Sequence, residues 1–71
     1  MEKLAEITFV VEESEEGGFL ARALGQSIFT DADDLPGLHH NVREAVLCHF
    51  DEGEAPRLIH LHFVRDEVIA V

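Results

Sequence analysis

The feature that most constrains this fold is a single amphipathic helix that follows a series of short strand segments. Its apolar positions recur at steps of three and four residues, which places them along one stripe of a helix. The predicted stripe comprises Leu35, Leu38, Val42, Ala45, Val46 and His49. We therefore expect this helix to lie across one face of a sheet formed by the rest of the chain.

The predicted helix has sequence signals at both ends. An acidic turn precedes it, and either Asp33 or Asp34 can accept hydrogen bonds from the free N–H groups of the first turn. Pro36 suits this turn because no backbone donor is needed there. We expect Gly53 to end the helix as the residue just beyond it, with Pro56 preventing its continuation.

Alternating apolar residues predict strands on both sides of the helix. Three strands are predicted before the helix and one after it, over residues 4–12, 19–24, 27–30 and 57–64. Gly17 and Gly18 form the first hairpin connection, because glycine accepts the positive φ angles that tight turns require. The predicted core-facing residues are Ala5, Ile7, Phe9 and Val11 in the first strand, and Phe19, Ala21 and Ala23 in the second.

These elements predict one α+β domain over residues 1–71. The order is β-β-β-α-β, with one helix packed on a mostly antiparallel sheet. Residues 68–71 form either a separate short last strand after a turn at Asp66-Glu67 or a direct continuation of the fourth strand.

Size and charge limit the classes of partner. A 71-residue domain buries only about 60% of its unfolded surface, so oligomerisation would add much stability, and two apolar segments, 59–64 and 68–71, predict a homodimer. The net charge of −10 argues against nucleic-acid binding, which needs clustered cations. It favours a basic protein partner, and the simpler alternative is that the charge only confers solubility.

Cysteine content and hydropathy indicate a cytoplasmic protein. Cys48 is the only cysteine, so no internal disulfide can form, and we treat it as a small hydrophobic residue. No apolar run approaches the roughly 18 residues of a membrane span, and no export signal is present. We expect no membrane association.

Five histidines raise the possibility of a metal site. His60 and His62 lie two residues apart on a predicted strand and therefore project from the same face. They are the candidate metal ligands, but no Cys-x-x-Cys or His-Glu-x-x-His motif accompanies them. The simpler interpretation is that the helix or a second subunit covers them. His39 and His40 point about 100° apart on the helix, and His49 is predicted to pack in the core.

No catalytic site or cofactor site is predicted. A ribonuclease H-type centre needs several carboxylates that converge on two metal ions. Here the carboxylates cluster in turns, at residues 12–16, 31–34 and 51–54, and only Glu6 lies within an early strand. We therefore expect no enzyme activity and no bound cofactor.

Several segments in order resemble the HicB-like antitoxin domains and their single-domain relatives of fewer than 80 residues. The similarity covers roughly residues 6–63. The matching segments are Val11-Glu12-Glu13, Gly17-Gly18-Phe19, Ser27-Ile28-Phe29-Thr30, and the acidic cap followed by Leu35, Leu38, Asn41, Val42, Arg43, Glu44 and Ala45.

The resemblance implies a trimmed ribonuclease H-like fold, dimers or larger assemblies, and inhibition of a small basic RNA-cleaving toxin by covering its active site. Full-length antitoxins of this type also carry a C-terminal DNA-binding module, which this sequence does not show, so operator binding is not implied. The expected contacts to a basic partner are the hairpin glutamates Glu12, Glu13, Glu15 and Glu16.

Three functional hypotheses follow. The first is an antitoxin-like interaction module, or a stand-alone relative of one without a toxin partner. The second is a metal or small-ligand binding protein that uses the strand histidines. The third is a ribonuclease H-type enzyme, which the placement of the carboxylates disfavours.

Overall fold

A computed structural model describes residues 5–71 and contains four strands and one helix within that range. The elements are β1 (Glu6–Ser14), β2 (Gly18–Ala23), β3 (Phe29–Ala32), α1 (Leu35–His49) and β4 (Leu58–Val64). The sheet has the order β3-β2-β1-β4. β1, β2 and β3 pair antiparallel, whereas β4 runs parallel to β1. The α+β class and the β-β-β-α-β order predicted from sequence are confirmed.

The core lies between one face of the sheet and α1. It comprises Ile7, Phe9, Val11, Ala21, Ala23, Ile28, Leu38, Val42 and Val46. Residues two apart on a strand share a face. The side chains that β1 and β2 therefore direct toward α1 are Ile7, Phe9, Val11, Ala21 and Ala23. The predicted faces are confirmed except at Ala5, which is exposed and precedes β1. Position 4, the predicted start of the first strand, lies outside the described residues.

The helix begins where the sequence predicts but ends earlier. Asp34 is its N-cap, whereas the predicted end at Gly53 is wrong. α1 ends at His49, and Phe50 turns the chain away with an extended backbone while its N–H donates to the Val46 carbonyl at 3.1 Å. Gly53 has a φ of +82° but serves the next turn, in which the Glu54 N–H donates to the Asp51 carbonyl.

The apolar stripe of α1 is narrower than predicted. Leu38, Val42 and Val46 are buried, but Leu35 and His49 are exposed. The prediction of His49 as a core residue is wrong because Phe50, four residues after Val46, packs against the core instead. The His49 ring lies edge-on to the Phe50 ring, 5.0 Å away between centroids.

The third strand and the C-terminal segment also differ from prediction. β3 spans Phe29–Ala32 and not the predicted residues 27–30. The Ala23 N–H donates to the Ile28 carbonyl at 3.0 Å, which continues the β2–β3 register by one pair before the strand. Beyond β4, residues 65–71 have no regular structure, so residues 68–71 form neither a separate last strand nor a continuation of β4.

Candidate functional site

The β1–β2 hairpin presents carboxylates to solvent. All four hairpin glutamates, Glu12, Glu13, Glu15 and Glu16, are exposed. The Gly17 N–H donates to the Ser14 carbonyl at 3.0 Å, and the Ser14 hydroxyl accepts from the Glu16 N–H at 3.3 Å. Gly17 has a φ of +86°, a conformation that side-chain-bearing residues rarely adopt. The turn is therefore closed by its own backbone and leaves the glutamates free to reach outward.

The hairpin lies directly against the turn that joins β3 to α1. A Cβ added at Gly18 would be 2.8 Å from the carbonyl oxygen of Ala32, and Phe19 pairs with Ala32 across the β2–β3 ladder. Only a residue without a side chain permits this approach. The hairpin glutamates are thereby held beside the aspartates that precede the helix.

Asp34 anchors this second turn. Its side-chain Oδ1 accepts from the Gly37 N–H at 2.7 Å, and its carbonyl accepts from the Leu38 N–H at 2.9 Å. Asn41 adds a link from the second turn of α1, because its Nδ2 donates to the Asp31 carbonyl at 2.7 Å. The Asp34 bonds thus close the start of α1, and the Asn41 bond ties the helix to the end of β3.

These contacts create an open cleft at one end of the molecule. The cleft has a volume of about 480 Å³, and its carboxylate-bearing lining residues are Glu16, Asp31, Asp33 and Asp34. A second, shallower depression beside it adds Glu13 and shares Glu16, Asp33 and Asp34. We call the set Glu13, Glu16, Asp31, Asp33 and Asp34 the acidic end.

The structure divides the four predicted partner-binding residues. Glu13 and Glu16 belong to the acidic end, whereas Glu15 lines neither depression. Glu12 faces the other side of the sheet, in a shallow pocket with Leu20 and Phe29. The alternation of a strand explains this division, because Glu12 and Glu13 must point to opposite faces. Sequence reasoning missed Asn41, since a single helical asparagine carries no signal that it will bond to a distant carbonyl.

The electrostatics of the acidic end are one-sided. Among residues 5–71, no lysine or arginine lines either depression. Five carboxylates clustered in this small area produce a concentrated negative field and repel one another. A cation or a basic surface placed over the cleft would relieve it.

The candidate metal ligands His60 and His62 are not part of a metal-binding cluster within residues 5–71. His60 and His62 are exposed on the sheet face away from α1, so the helix does not cover them as expected. His60 Nε2 lies 3.3 Å from Glu6 Oε2. Within residues 5–71, no group of three or more His, Cys, Asp or Glu side chains is arranged to hold a metal ion.

The other predicted chemistry-bearing residues lie at the surface. Cys48 is a free, exposed thiol, and His49 Nε2 lies 3.3 Å from Gln26 Oε1. No polar or charged side chain is buried in the described part of the chain. The one helix in that part, α1, lacks the length and apolar composition to span a membrane.

Two proteins of similar length resemble this chain closely. It is 46% identical over 71 residues to a UPF0150 protein of Thermotoga maritima, and the alignment covers all of both chains. It is 53% identical over 57 residues to a UPF0150 protein of Archaeoglobus fulgidus, covering 80% of this chain and 85% of the relative. No protein-family model matches the sequence, and no solved structure gives a significant match.

Proposed function

Because the chain belongs to the UPF0150 family, we propose that it is a small acidic interaction module that binds a basic protein. UPF0150 is a HicB-like family, and the resemblance to HicB-like antitoxins supports a more specific partner, a small basic RNA-cleaving toxin. In this proposal the module acts by covering the partner's active site and contributes no catalysis of its own.

The acidic end is the observation that carries this proposal. Glu13 and Glu16 from the hairpin and the aspartates before α1 line shared depressions with no cation among the described lining residues. Clustered carboxylates on rigid turns suit arginine and lysine side chains, which can make charge-assisted hydrogen bonds to them. A nucleic acid would instead be repelled by the same field.

The edge of the sheet beside the acidic end supports a protein partner in particular. β3 is an edge strand, and β2 is its only neighbour among the described strands. Asp31 is an exposed residue of β3 and also lines the cleft. A partner segment could therefore pair with the backbone of β3 while its basic side chains reach the acidic end.

Capture from a native lysate tests the proposal when it is done with matched charge variants. Three proteins would be immobilised: the unmodified chain, the Glu13→Gln/Glu16→Gln variant and the Glu52→Gln/Glu54→Gln variant. The last removes the same charge from exposed positions beyond the other end of α1. Bound proteins would be identified by mass spectrometry.

We expect one small basic protein on the unmodified chain and on the Glu52/Glu54 variant, with clear depletion on the Glu13/Glu16 variant. That protein, once purified, should cleave RNA and should lose this activity on addition of the unmodified chain. Capture of no basic protein, or equal capture by all three chains, would contradict the proposed interaction. Unchanged RNA cleavage would contradict the inhibitory role.

A further inference from the structure

The edge of the sheet opposite β3 is long and apolar. Among residues 5–71, β4 has β1 as its only neighbour, and the ladder runs from Glu6–Leu58 to Glu12–Val64. All residues of β4 are apolar or histidine. An edge of this kind exposes unpaired backbone groups and apolar side chains together, a combination that folded proteins normally cover.

A groove runs along the helix side of this edge. α1 packs chiefly on β3 and β2, which leaves the inner face of β4 only partly covered. Ile59 and Leu61 are half-buried, and they line a groove of about 190 Å³ with His39, Val42 and Arg43 of α1. A strand added beside β4 would send alternate side chains into this groove.

The segment after β4 has the composition of a strand but makes no such pairing. Residues 65–71 lack regular structure, and Val68 and Ile69 are 90% and 83% exposed. Arg65 Nη2 and Glu67 Oε1 lie 3.0 Å apart, as side chains two apart on an extended chain can do. The chain is drawn out to 53 Å along its longest axis, against 21 and 17 Å along the others. Residues 65–71 are called the tail below.

We propose that two copies of this chain exchange their tails. Each tail continues β4 and pairs antiparallel with β4 of the second copy, around a two-fold axis at Val64. In this register Ile69 lies opposite Ile59 of the second copy, and Asp66 lies opposite His62 of the second copy. The result is one eight-stranded sheet with both helices on the same face.

This register pairs the backbone groups of the β4 edge and also places side chains of the tail in the groove. Opposite residues of an antiparallel pair share a face, so Ile69 joins Ile59 and Leu61 on the helix side. Glu67 projects on that same side, where His39 and Arg43 line the groove. Apolar side chains therefore cover the apolar floor, and a carboxylate approaches the only cation of the described groove lining.

Charge favours a second copy as the occupant. Residues 57–65 contain two arginines, two histidines and no carboxylate, in a chain of net charge −10. Two such molecules therefore repel each other less at this edge than at the acidic end. A two-fold arrangement also forms both tail-to-β4 pairings at once.

The tail is poorly suited to fold back on its own strand. A hairpin onto the edge of β4 would need a tight turn immediately after Val64. Asp66 is the one residue there that favours a turn, and no glycine, asparagine or proline stands beside it within residues 65–71. Exchange between two copies needs no turn at all.

Cysteine cross-linking tests the register. Val64→Cys in a Cys48→Ala background places two thiols opposite each other on the two-fold axis, within the reach of a disulfide. The control is Leu47→Cys in the same background, since Leu47 is 62% exposed on α1. Mild oxidation should convert the Val64→Cys protein to a covalent dimer and should leave the control without a covalent cross-link. Equal cross-linking of the two, or none in the Val64→Cys protein, would overturn the register.

Sedimentation tests the role of the tail. We expect the unmodified chain to sediment at twice its 7.9 kDa mass at micromolar concentration. Ile69→Asp should weaken the dimer by at least about tenfold, because it puts a charge against the apolar groove. Leu47→Asp, an equal change at another exposed apolar site, should not. A monomeric unmodified chain, or a dimer insensitive to Ile69→Asp, would contradict tail exchange without affecting the proposed function, which uses the other edge.

Discussion

Asp34 fixes the start of the helix, although Asp33 beside it has the same chemistry. The backbone of Asp34 is extended, with φ −146° and ψ 173°, so its carboxylate can turn back to the Gly37 N–H. The sequence predicts a cap at one of the two positions. It could not choose between them, because the choice depends on where β3 ends, at Ala32.

Replacing the capping side chain should therefore cost stability where replacing its neighbour does not. Asp34→Ala should lower the free energy of unfolding by about 1 kcal/mol, because an N–H of the first turn loses its acceptor. Asp33→Ala should change it by less than about 0.5 kcal/mol. Denaturant titration of both variants would measure this difference, and equal losses would show that Asp34 is not the cap.

At the scale of elements, the apolar periodicity of α1 predicts its core-facing residues well in the middle and poorly at the ends. Leu38, Val42 and Val46 are buried as predicted. Leu35 and His49 lie at the ends of α1, where the residues just outside the helix decide which side chain is buried. Phe50 takes the core position at one end. Periodicity alone contains no information about such competition.

Truncation of the middle of the stripe should be far more costly than truncation of the outer face. Leu38→Ala or Val42→Ala should lower the free energy of unfolding by about 2–4 kcal/mol, since each leaves a cavity between helix and sheet. The surface change Glu44→Ala should cost under about 0.5 kcal/mol. Similar losses at both kinds of site, measured by thermal or denaturant unfolding, would mean that the wrong face of α1 has been assigned to the core.

At the scale of the whole molecule, charge is divided between two regions. The acidic end lies beside the β3 edge, whereas the β4 edge and its flanking residues 57–65 contain no carboxylate. The acidic turns are visible in the sequence, but their meeting depends on Gly18 lying against Ala32, a contact between residues far apart in the chain. The fold class was predictable from the order of the elements. The division of Glu12 and Glu13 between two faces was not predicted, because the predicted strand ends at residue 12 whereas β1 runs to Ser14.

The central claim is that the acidic end recruits a basic protein, and association kinetics test it most directly. Charges at the rim of an interface mainly set the association rate and its salt dependence. The basic protein captured from lysate would be mixed with four chains over a range of salt concentrations. They are the unmodified chain, the Glu13/Glu16 variant, the Glu52/Glu54 variant, and a variant with Glu12, Glu13, Glu15 and Glu16 all changed to Gln.

We expect the four-residue variant to associate more slowly than the unmodified chain and with a flatter salt dependence, while its fold and unfolding midpoint stay intact. The Glu13/Glu16 variant should account for most of this loss, and the Glu52/Glu54 variant should behave almost like the unmodified chain. If the association rate with the basic protein is the same for all four chains at every salt concentration, the acidic end serves solubility and not recognition.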